Sequence, residues 1–182
     1  LLDLACGSGP LLDLCDRRFA PEMQLIGVDM SADELDVARR RLPSGRVELY
    51  EAQADAMTLI PNASVDVALC HWALTLIDPV MPALQEVKRV LKPGGRFVCL
   101  EFSHMPSALL TRAYDAYSFR VIPPLGGLVT GDGDPYQYLV ESIRKFPRAE
   151  AFADEVGDAG FARVAIERLS GGVAALHSGW KV

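Results

Sequence analysis

The stretch LLDLACGSGP, at positions 1–10, joins a short apolar strand to a turn that contains two glycines. A helical pattern follows to about Phe19, so the turn leads directly from a buried strand into a helix. Glycine lets a backbone approach a ligand closely, and a helix N-terminus offers unpaired N–H groups and a positive dipole end. The stretch therefore predicts a ligand-binding strand–loop–helix unit in an α/β fold.

An acidic residue supports this interpretation. Asp29 ends the next predicted strand, LIGVD at positions 25–29, and lies 22 residues after Gly7. A carboxylate in that place can accept hydrogen bonds from both hydroxyls of a ribose. Each feature alone has a structural interpretation, since Asp29 can cap the following helix and the glycines can be turn residues. Together they predict a cofactor that contains a nucleoside.

The order of residues in the loop indicates which cofactor. A dinucleotide site uses GxGxxG, whereas the third glycine is replaced here by Leu12. The form D-x-A-x-G-x-G resembles motif I of class I methyltransferases. That resemblance also gives a role to the pair Asp55-Ala56, which follows the third strand, where such enzymes usually place an acid that accepts the adenine amino group. Gln53 is the less favoured occupant of that role.

Short apolar strands alternate with amphipathic helices over the first 100 residues, which indicates a parallel sheet with crossover helices. Ser31 and Glu34 read as a reciprocal capping box, and Asp78-Pro79 as the start of a further helix. Two closing strands predict a hairpin at the sheet edge. The predicted strands are 1–5, 25–29, 47–50, 65–70, 96–101, 161–169 and 172–177.

Length and composition set further bounds. The 182 residues fit a single domain, 1–182, with N-terminal helices expected to be missing and a helix–loop insertion at 104–146 on the substrate side. The net charge of −6 argues against a nucleic-acid partner bound through a broad basic surface. No apolar run is long enough for a membrane helix. The expected localisation is cytoplasmic. The cysteines form no CxxC, so we expect buried reduced thiols and no metal site. They are Cys6, Cys15, Cys70 and Cys99.

The second half of the chain resembles one family, the ubiquinone/menaquinone biosynthesis C-methyltransferases. The resemblance implies transfer of a methyl group from S-adenosylmethionine to a ring carbon of a prenylated benzoquinol or naphthoquinol. It also implies a Rossmann-like, mostly parallel seven-stranded sheet with an antiparallel last strand and helices on both faces. It rests on LKPGGR (91–96), CLEFS (99–103), AYDAYSF (113–119), YQYLVESIR (136–144), FP (146–147), DAGF (158–161), GVAALH (172–177) and GWK (179–181).

Site residues can be named on this basis. A ring carbon becomes a good nucleophile once the neighbouring hydroxyl is deprotonated, so a general base is expected. His71 is the first candidate because it follows the fourth strand at the ligand edge; a buried histidine bonded to a backbone carbonyl is the alternative. Asp115 and His104 are weaker candidates, and His177 is expected to be structural. The cofactor-binding candidates are Asp3, Gly7, Ser8, Gly9, Asp29, Met30, Asp55, Ala56 and Cys70.

The acceptor pocket is less defined. Arg144 could anchor a phenolate oxygen or pair with Glu141. The tyrosines could line an aromatic pocket or simply pack on amphipathic helices. The substrate-binding candidates are Trp72, Tyr114, Tyr117, Tyr136 and Arg144, with Tyr138 beside them.

Two alternatives to a quinol methyltransferase stay open. The family usually carries an Arg-Asn pair after the fourth strand, and here Leu74 and Thr75 occupy those positions. This replacement favours a methyltransferase of another small aromatic or natural product. It is also the one feature that favours a non-catalytic scaffold. A prenylated substrate would bring the protein transiently to the membrane surface, and a homodimer or a biosynthetic complex is a further partner hypothesis.

Overall fold

The computed structural model describes residues 1–19, 21–42, 45–104 and 141–182. Its strands form one seven-stranded sheet in the order β3-β2-β1-β4-β5-β7-β6. β7 runs antiparallel to both of its neighbours, and the other adjacent pairs are parallel. The strands are β1 (Leu2–Leu4), β2 (Leu25–Asp29), β3 (Val47–Glu51), β4 (Val65–His71), β5 (Leu91–Phe102), β6 (Ala162–Leu169) and β7 (Ala174–Trp180).

Four α-helices lie entirely within the described residues and cover both faces of the sheet, and residues 141–145 are also helical. They are α1 (Pro10–Phe19), α2 (Ala32–Arg41), α3 (Met81–Val90) and α4 (Ala149–Asp158). The predicted Rossmann-like methyltransferase architecture, with an antiparallel last strand and helices on both faces, is confirmed. In the described ranges, no helix has the length and apolar character needed to cross a membrane.

Two apolar cores hold these layers together. Leu12 of α1 and Leu35 of α2 pack with Leu25 on one face, while Leu84 of α3 and Phe152 of α4 belong to the larger core on the other face. All these side chains are almost fully buried, and each buried side chain of this size contributes roughly 1.5–3 kcal/mol relative to exposure. The four cysteines are also buried and free, as predicted.

Two predicted boundaries are wrong. Helix α3 begins at Met81, with Val80 as its N-cap and Pro82 in its first turn, and not at Asp78-Pro79. Strand β5 begins at Leu91 and not at residue 96, because Leu91 pairs with Val65 before a bulge restores the register. Gly94, with a φ of 79°, lets the strand turn there.

The predicted closing hairpin is present, with a short 3₁₀ turn at Ser170–Gly172 between β6 and β7. Residues 105–140 lie outside the described part of the chain, and so does most of the predicted substrate-side insertion at 104–146. Asp115 and the four candidate tyrosines, Tyr114, Tyr117, Tyr136 and Tyr138, fall in that segment.

Candidate cofactor and acceptor site

A cavity of about 590 Å³ opens at the edge where the parallel strands end. Its wall includes Ala5 after β1, Asp29 at the end of β2, Ala52 after β3 and Trp72 after β4. Such a crevice at the carboxyl ends of the strands is the usual ligand position in an open α/β sheet, and its volume suits a small-molecule ligand. Of the predicted cofactor residues, Asp29, Met30 and Asp55 line it, together with Gln53.

The glycine loop makes a tight turn after Ala5, and neither Gly7 nor Gly9 lines the cavity wall. Its backbone is fixed by hydrogen bonds from the Cys6 N–H to the Val28 carbonyl and from the Gly9 N–H to the Cys6 carbonyl, both 2.9 Å. Gly9 has a φ of 75°, and a Cβ there would lie 3.2 Å from side-chain atoms of Ala38 and Leu42. Glycine is therefore needed at this position for both conformation and packing against α2.

Asp29 holds the backbone of the glycine loop and of the residue that caps α2. Its Oδ2 accepts the Gly7 N–H at 2.8 Å, and its Oδ1 accepts the Ser31 N–H at 2.9 Å. The Ser31 side chain accepts the Glu34 N–H at 3.3 Å as predicted, but Asp29 bonds the Ser31 N–H in place of the Glu34 carboxylate. A carboxylate has about four acceptor positions, so Asp29 keeps acceptor capacity toward the cavity.

Within this loop, Ser8 is held by α2 and Cys6 is buried. Arg41 at the end of α2 donates from Nη1 to the Ser8 carbonyl at 3.0 Å and to the Ser8 hydroxyl at 3.2 Å. Burial raises the pKa of the Cys6 thiol to about 12, so it stays protonated at neutral pH. The bonds from Arg41 anchor the loop to α2. Neither Ser8 nor Cys6 lines the cavity wall.

The loop after β3 is tied down by residues that sequence reasoning missed. The Met57 N–H donates to Glu86 Oε2 at 3.0 Å. Arg89 donates to the carbonyls of Met57 at 2.8 Å and Ile60 at 2.9 Å. Hydrogen bonds from Arg89 lower the pKa of Glu86. The i,i+3 spacing of Glu86 and Arg89 on α3 predicts that the two side chains pair. It gives no indication that the pair also binds the loop after β3.

Asp3 in β1 and His71 at the end of β4 lie close to each other. Asp3 is fully buried, and His71 Nδ1 lies 3.7 Å from Asp3 Oδ1. Within the described residues, neither Asp3 oxygen nor His71 Nδ1 has a hydrogen-bond partner. Burial raises the pKa of Asp3, and the neighbouring Asp3 raises the pKa of His71. Neither side chain lines the cavity.

Glu101 is the second buried carboxylate near the site, and the sequence analysis did not single it out. Its Oε1 accepts the N–H groups of Ala73 and Leu74, both at 2.7 Å, and its Oε2 accepts the Thr75 hydroxyl at 2.6 Å. Burial nevertheless raises the pKa of Glu101. Leu74 is fully buried in the core. The two positions where the family usually carries an Arg-Asn pair thus face the protein interior.

Four further candidates do not line the cavity. Cys70 is buried in the core, and Cys99 is its partner across β4 and β5. Ala56 follows the cavity wall without lining it. His177 is buried with Nε2 2.9 Å from the Ala149 carbonyl, as expected of a structural residue. Arg144 is exposed and does not line the cavity.

Comparisons with known proteins agree with this geometry. A family model described as the ubiE/COQ5 methyltransferase family matches residues 1–181. The chain is 45% identical over 185 residues to "Ubiquinone/menaquinone biosynthesis C-methyltransferase UbiE" of Methylobacterium nodulans, which covers 100% of this chain and 73% of the relative. The protein of the same name from Bradyrhizobium diazoefficiens is 44% identical over 186 residues, with the same coverage.

Solved structures show the same fold at low identity. A possible histamine N-methyltransferase from Thermotoga maritima has a TM-score of 0.69 at 19% identity and covers 100% of this chain and 81% of that one. Phosphoethanolamine N-methyltransferase 2 from Haemonchus contortus, solved with S-adenosyl-L-methionine, has a TM-score of 0.71 at 14% identity, covering 99% of this chain and 48% of that one. The chain belongs to the ubiE/COQ5 methyltransferase family and is an S-adenosylmethionine-dependent methyltransferase.

Proposed function

We propose that this methyltransferase acts on a ring carbon of a prenylated benzoquinol or naphthoquinol. The observation that carries the proposal is the 45% identity, over the whole chain, to a protein named as a ubiquinone/menaquinone biosynthesis C-methyltransferase. The cavity at the sheet edge supplies a site of suitable size next to the ribose-binding candidate Asp29.

The residues present fit S-adenosylmethionine. Asp29 keeps acceptor capacity for ribose hydroxyls, and a Cβ at Gly7 would meet no atom nearer than 3.8 Å, so the backbone there is open to a close approach. The exposed Met30 and Asp55 lie on the same wall and would flank the adenine. The fully buried Asp3 carboxylate, unpartnered among the described residues, suits a cationic ligand group nearby. Ser8, Ala56 and Cys70 are proposed to support this site rather than to line it.

When bound, the cofactor supplies a methyl group on a positively charged sulfur. That methyl group would pass to the ring carbon, with the electron pair of the carbon–sulfur bond left on sulfur in S-adenosylhomocysteine. The base takes the proton of a ring hydroxyl before the attack. The methylated ring carbon then gives its hydrogen to solvent as a proton, and the base returns its proton to the ring oxygen, so one proton is released in each turnover. The protein's task is to align the two reactants and accept the first proton.

His71 is the proposed base for that first proton. It ends β4 directly before Trp72, which lines the cavity, and its side chain is one quarter exposed. The neighbouring Asp3 raises the pKa of His71 above its ordinary value, which makes the ring a stronger base. Asp115 is the second proposal for this role.

The acceptor end of the cavity is apolar. Trp72 and Leu76 both line it and both leave large apolar surface exposed. Tyr114, Tyr117, Tyr136 and Arg144 are proposed to complete this end. A polyprenyl tail would bring the protein to a membrane surface during turnover, and association as a homodimer or with other biosynthetic enzymes belongs to the same proposal.

Calorimetric titration with S-adenosylmethionine, with Asp29→Ala run beside the parent protein, tests the cofactor site. Asp33→Ala is the matched control, because Asp33 is an exposed acid in the first turn of α2 that does not line the cavity. We expect Asp29→Ala to lose binding, with its fold checked by circular dichroism, and Asp33→Ala to retain it. Binding by Asp29→Ala at the parent's affinity would remove Asp29 from the site.

A product assay tests the acceptor. The protein is given labelled cofactor and a demethylated benzoquinol with a short prenyl tail, and label in a new ring C–methyl group is the expected result. Turnover of a different phenol, with none of the quinol, would replace the quinol by another aromatic acceptor. Failure of the folded protein to bind the cofactor at all would leave a scaffold as the function.

A further inference from the structure

Trp72 has a backbone conformation that a bulky residue rarely adopts. Its φ is 56°, in the left-handed region where tryptophan is a marked outlier. Five non-glycine residues of the described chain have a positive φ, and two of them, Ala5 and Trp72, lie on the cavity wall directly after the neighbouring strands β1 and β4. Glycine would adopt this conformation without strain, so a tryptophan here calls for a reason other than chain geometry.

The surrounding structure enforces this conformation. The Trp72 N–H donates to the Leu100 carbonyl at 3.0 Å. The next two residues, Ala73 and Leu74, are held through their N–H groups by the fully buried carboxylate of Glu101. Strained backbone persists where its surroundings over-determine it, and it concentrates at ligand sites. The β5 strand thus fixes the loop that carries Trp72.

The ring itself is presented to the cavity. It packs against Phe102, with ring centroids 4.2 Å apart and planes at 41°, yet Trp72 remains 39% exposed. Leu76 and Met30 line the same cavity and are 47% and 71% exposed. Three of the large apolar side chains that are exposed in the described chain therefore surround one opening, which marks a ligand surface.

We propose that Trp72 is the specificity-determining residue for the acceptor and that the planar ring of the quinol stacks on its indole. This inference rests on the proposed function for the class of acceptor. Aromatic rings pair in offset or tilted stacks, and a ring held in this way lies beside the cofactor wall formed by Asp29 and Met30. The stacked pair also excludes water from the site of methyl transfer.

Two substitutions at Trp72 and one control test the proposal by steady-state kinetics and calorimetry. Trp72→Gly relieves the strain and removes the ring, whereas Trp72→Phe keeps an aromatic ring in the same backbone. Ala63→Gly is the control, because Ala63 has a similar φ of 50° but does not line the cavity. We expect Trp72→Gly to raise the acceptor KM about tenfold or more, with cofactor affinity within about twofold of the parent's.

The companion variants define the remaining outcomes. Trp72→Phe should recover most of the loss, and Ala63→Gly should leave the acceptor KM unchanged. An unchanged acceptor KM in Trp72→Gly overturns the proposal, and so does a loss that falls on cofactor affinity instead.

Fluorescence separates this inference from the proposed function. The sequence contains two tryptophans, so Trp180→Phe leaves Trp72 as the emitting residue of this chain. A demethylated benzoquinone with a short prenyl tail, in the presence of S-adenosylhomocysteine, should quench that emission in a saturable way. Quenching without turnover of the quinol would contradict the proposed reaction but support the stacking site. Normal turnover with no saturable quenching would support the reaction and overturn the role of Trp72.

Discussion

The carboxylate of Asp3, in the middle of β1, lies 3.7 Å from Nδ1 of His71 at the end of β4. This distance exceeds that of a hydrogen bond, so the contact is a close electrostatic pair in a site where Asp3 is fully buried. Among the described residues, neither Asp3 oxygen nor His71 Nδ1 has a hydrogen-bond partner. Each group therefore controls the charge of the other, because interactions between charges strengthen away from water.

The first prediction concerns the pKa of His71. Asp3 raises it, and Glu101 adds to the increase. Asp3→Asn removes the nearest negative charge, so the pKa of His71 should fall. NMR titration of the three histidine rings measures the pKa of His71 directly. The buried His177 is the internal reference and should keep its titration behaviour, since it lies against Ala149 and not against Asp3.

If His71 is the base, activity follows the same change. The base must be unprotonated to accept the hydroxyl proton, so the acidic limb of kcat against pH should move to lower pH in Asp3→Asn. The measurement is made at saturating cofactor, because Asp3 is also a cofactor-binding candidate. A limb that stays in place while the NMR pKa falls would assign the base elsewhere, with Asp115 as the next residue to replace.

Stability should depend on the same pair. A pKa of His71 raised above its ordinary 6.5 means that the folded state binds this proton more tightly than the unfolded chain. That contribution is present below pH 6.5 and is lost as the pH rises through the folded-state pKa. Between pH 6.5 and that folded-state pKa, the parent's free energy of unfolding should therefore decline more steeply than that of His71→Asn. Equal slopes in urea titrations of the two proteins would show that His71 does not contribute this dependence.

The next prediction concerns Thr75, whose hydroxyl donates to the buried carboxylate of Glu101. Thr75→Val keeps the shape of the side chain but removes the hydroxyl that donates to Glu101 at 2.6 Å. A hydrogen bond to a charged group contributes about 1.5–3 kcal/mol, so the free energy of unfolding should fall by about that amount. Thr75→Ser restores the hydroxyl and should recover most of it. The exposed Thr58→Val is the control and should stay within about 0.5 kcal/mol of the parent.

The parts of the fold that were predicted correctly depend on local signals. The glycine loop, the strand end at Asp29 and the alternation of strands and helices each depend on a few neighbouring residues. The Asp3–His71 and Glu101–Thr75 contacts join residues that are far apart in sequence. Their partners depend on strand order and register, which a single sequence does not encode locally.

The wrong boundaries have a similar cause. Asp78-Pro79 has the composition of a helix start, but the chain lines the cavity there and the helix begins at Met81. The Pro-Gly-Gly segment after Leu91 has the composition of a loop, yet Leu91 is already paired with Val65. At Leu91, pairing with a neighbouring strand overrides local propensity.

Gly27 provides a test of packing in the sheet. An added Cβ would lie 2.6 Å from Leu12 Cδ1 and 2.7 Å from Leu49 Cδ2, and both lie against the small core. Gly27→Ala should therefore destabilise the protein by about 1–3 kcal/mol. Gly157→Ala is the matched change, in helix α4 with nothing within 4 Å of the new Cβ. It should stabilise by about 0.5–1 kcal/mol, and a loss similar to that of Gly27→Ala would show that the close contacts are not the cause.

Arg89 tests whether the loop after β3 must be held for cofactor binding. It donates to the carbonyls of Met57 and Ile60 and pairs with Glu86, which accepts the Met57 N–H. Arg89→Ala leaves these groups unpaired at a half-buried site, which should cost about 2–3 kcal/mol. Because Asp55 lies in this loop, two residues before Met57, the Kd for S-adenosylmethionine should rise several-fold in calorimetry.

A second i,i+3 pair controls for the loss of a surface arginine. Arg39 on α2 pairs with Asp36 at 2.6 Å, and both side chains are more than half exposed. Arg39→Ala should change stability by less than about 1 kcal/mol and leave the cofactor Kd unchanged. If the two variants lose the same stability and bind the cofactor equally well, the bonds from Arg89 do not hold the adenine side of the site. A selective loss of stability and cofactor affinity in Arg89→Ala would show that α3 supports the cofactor site through the loop that it holds. No residue of α3 itself lines the cavity.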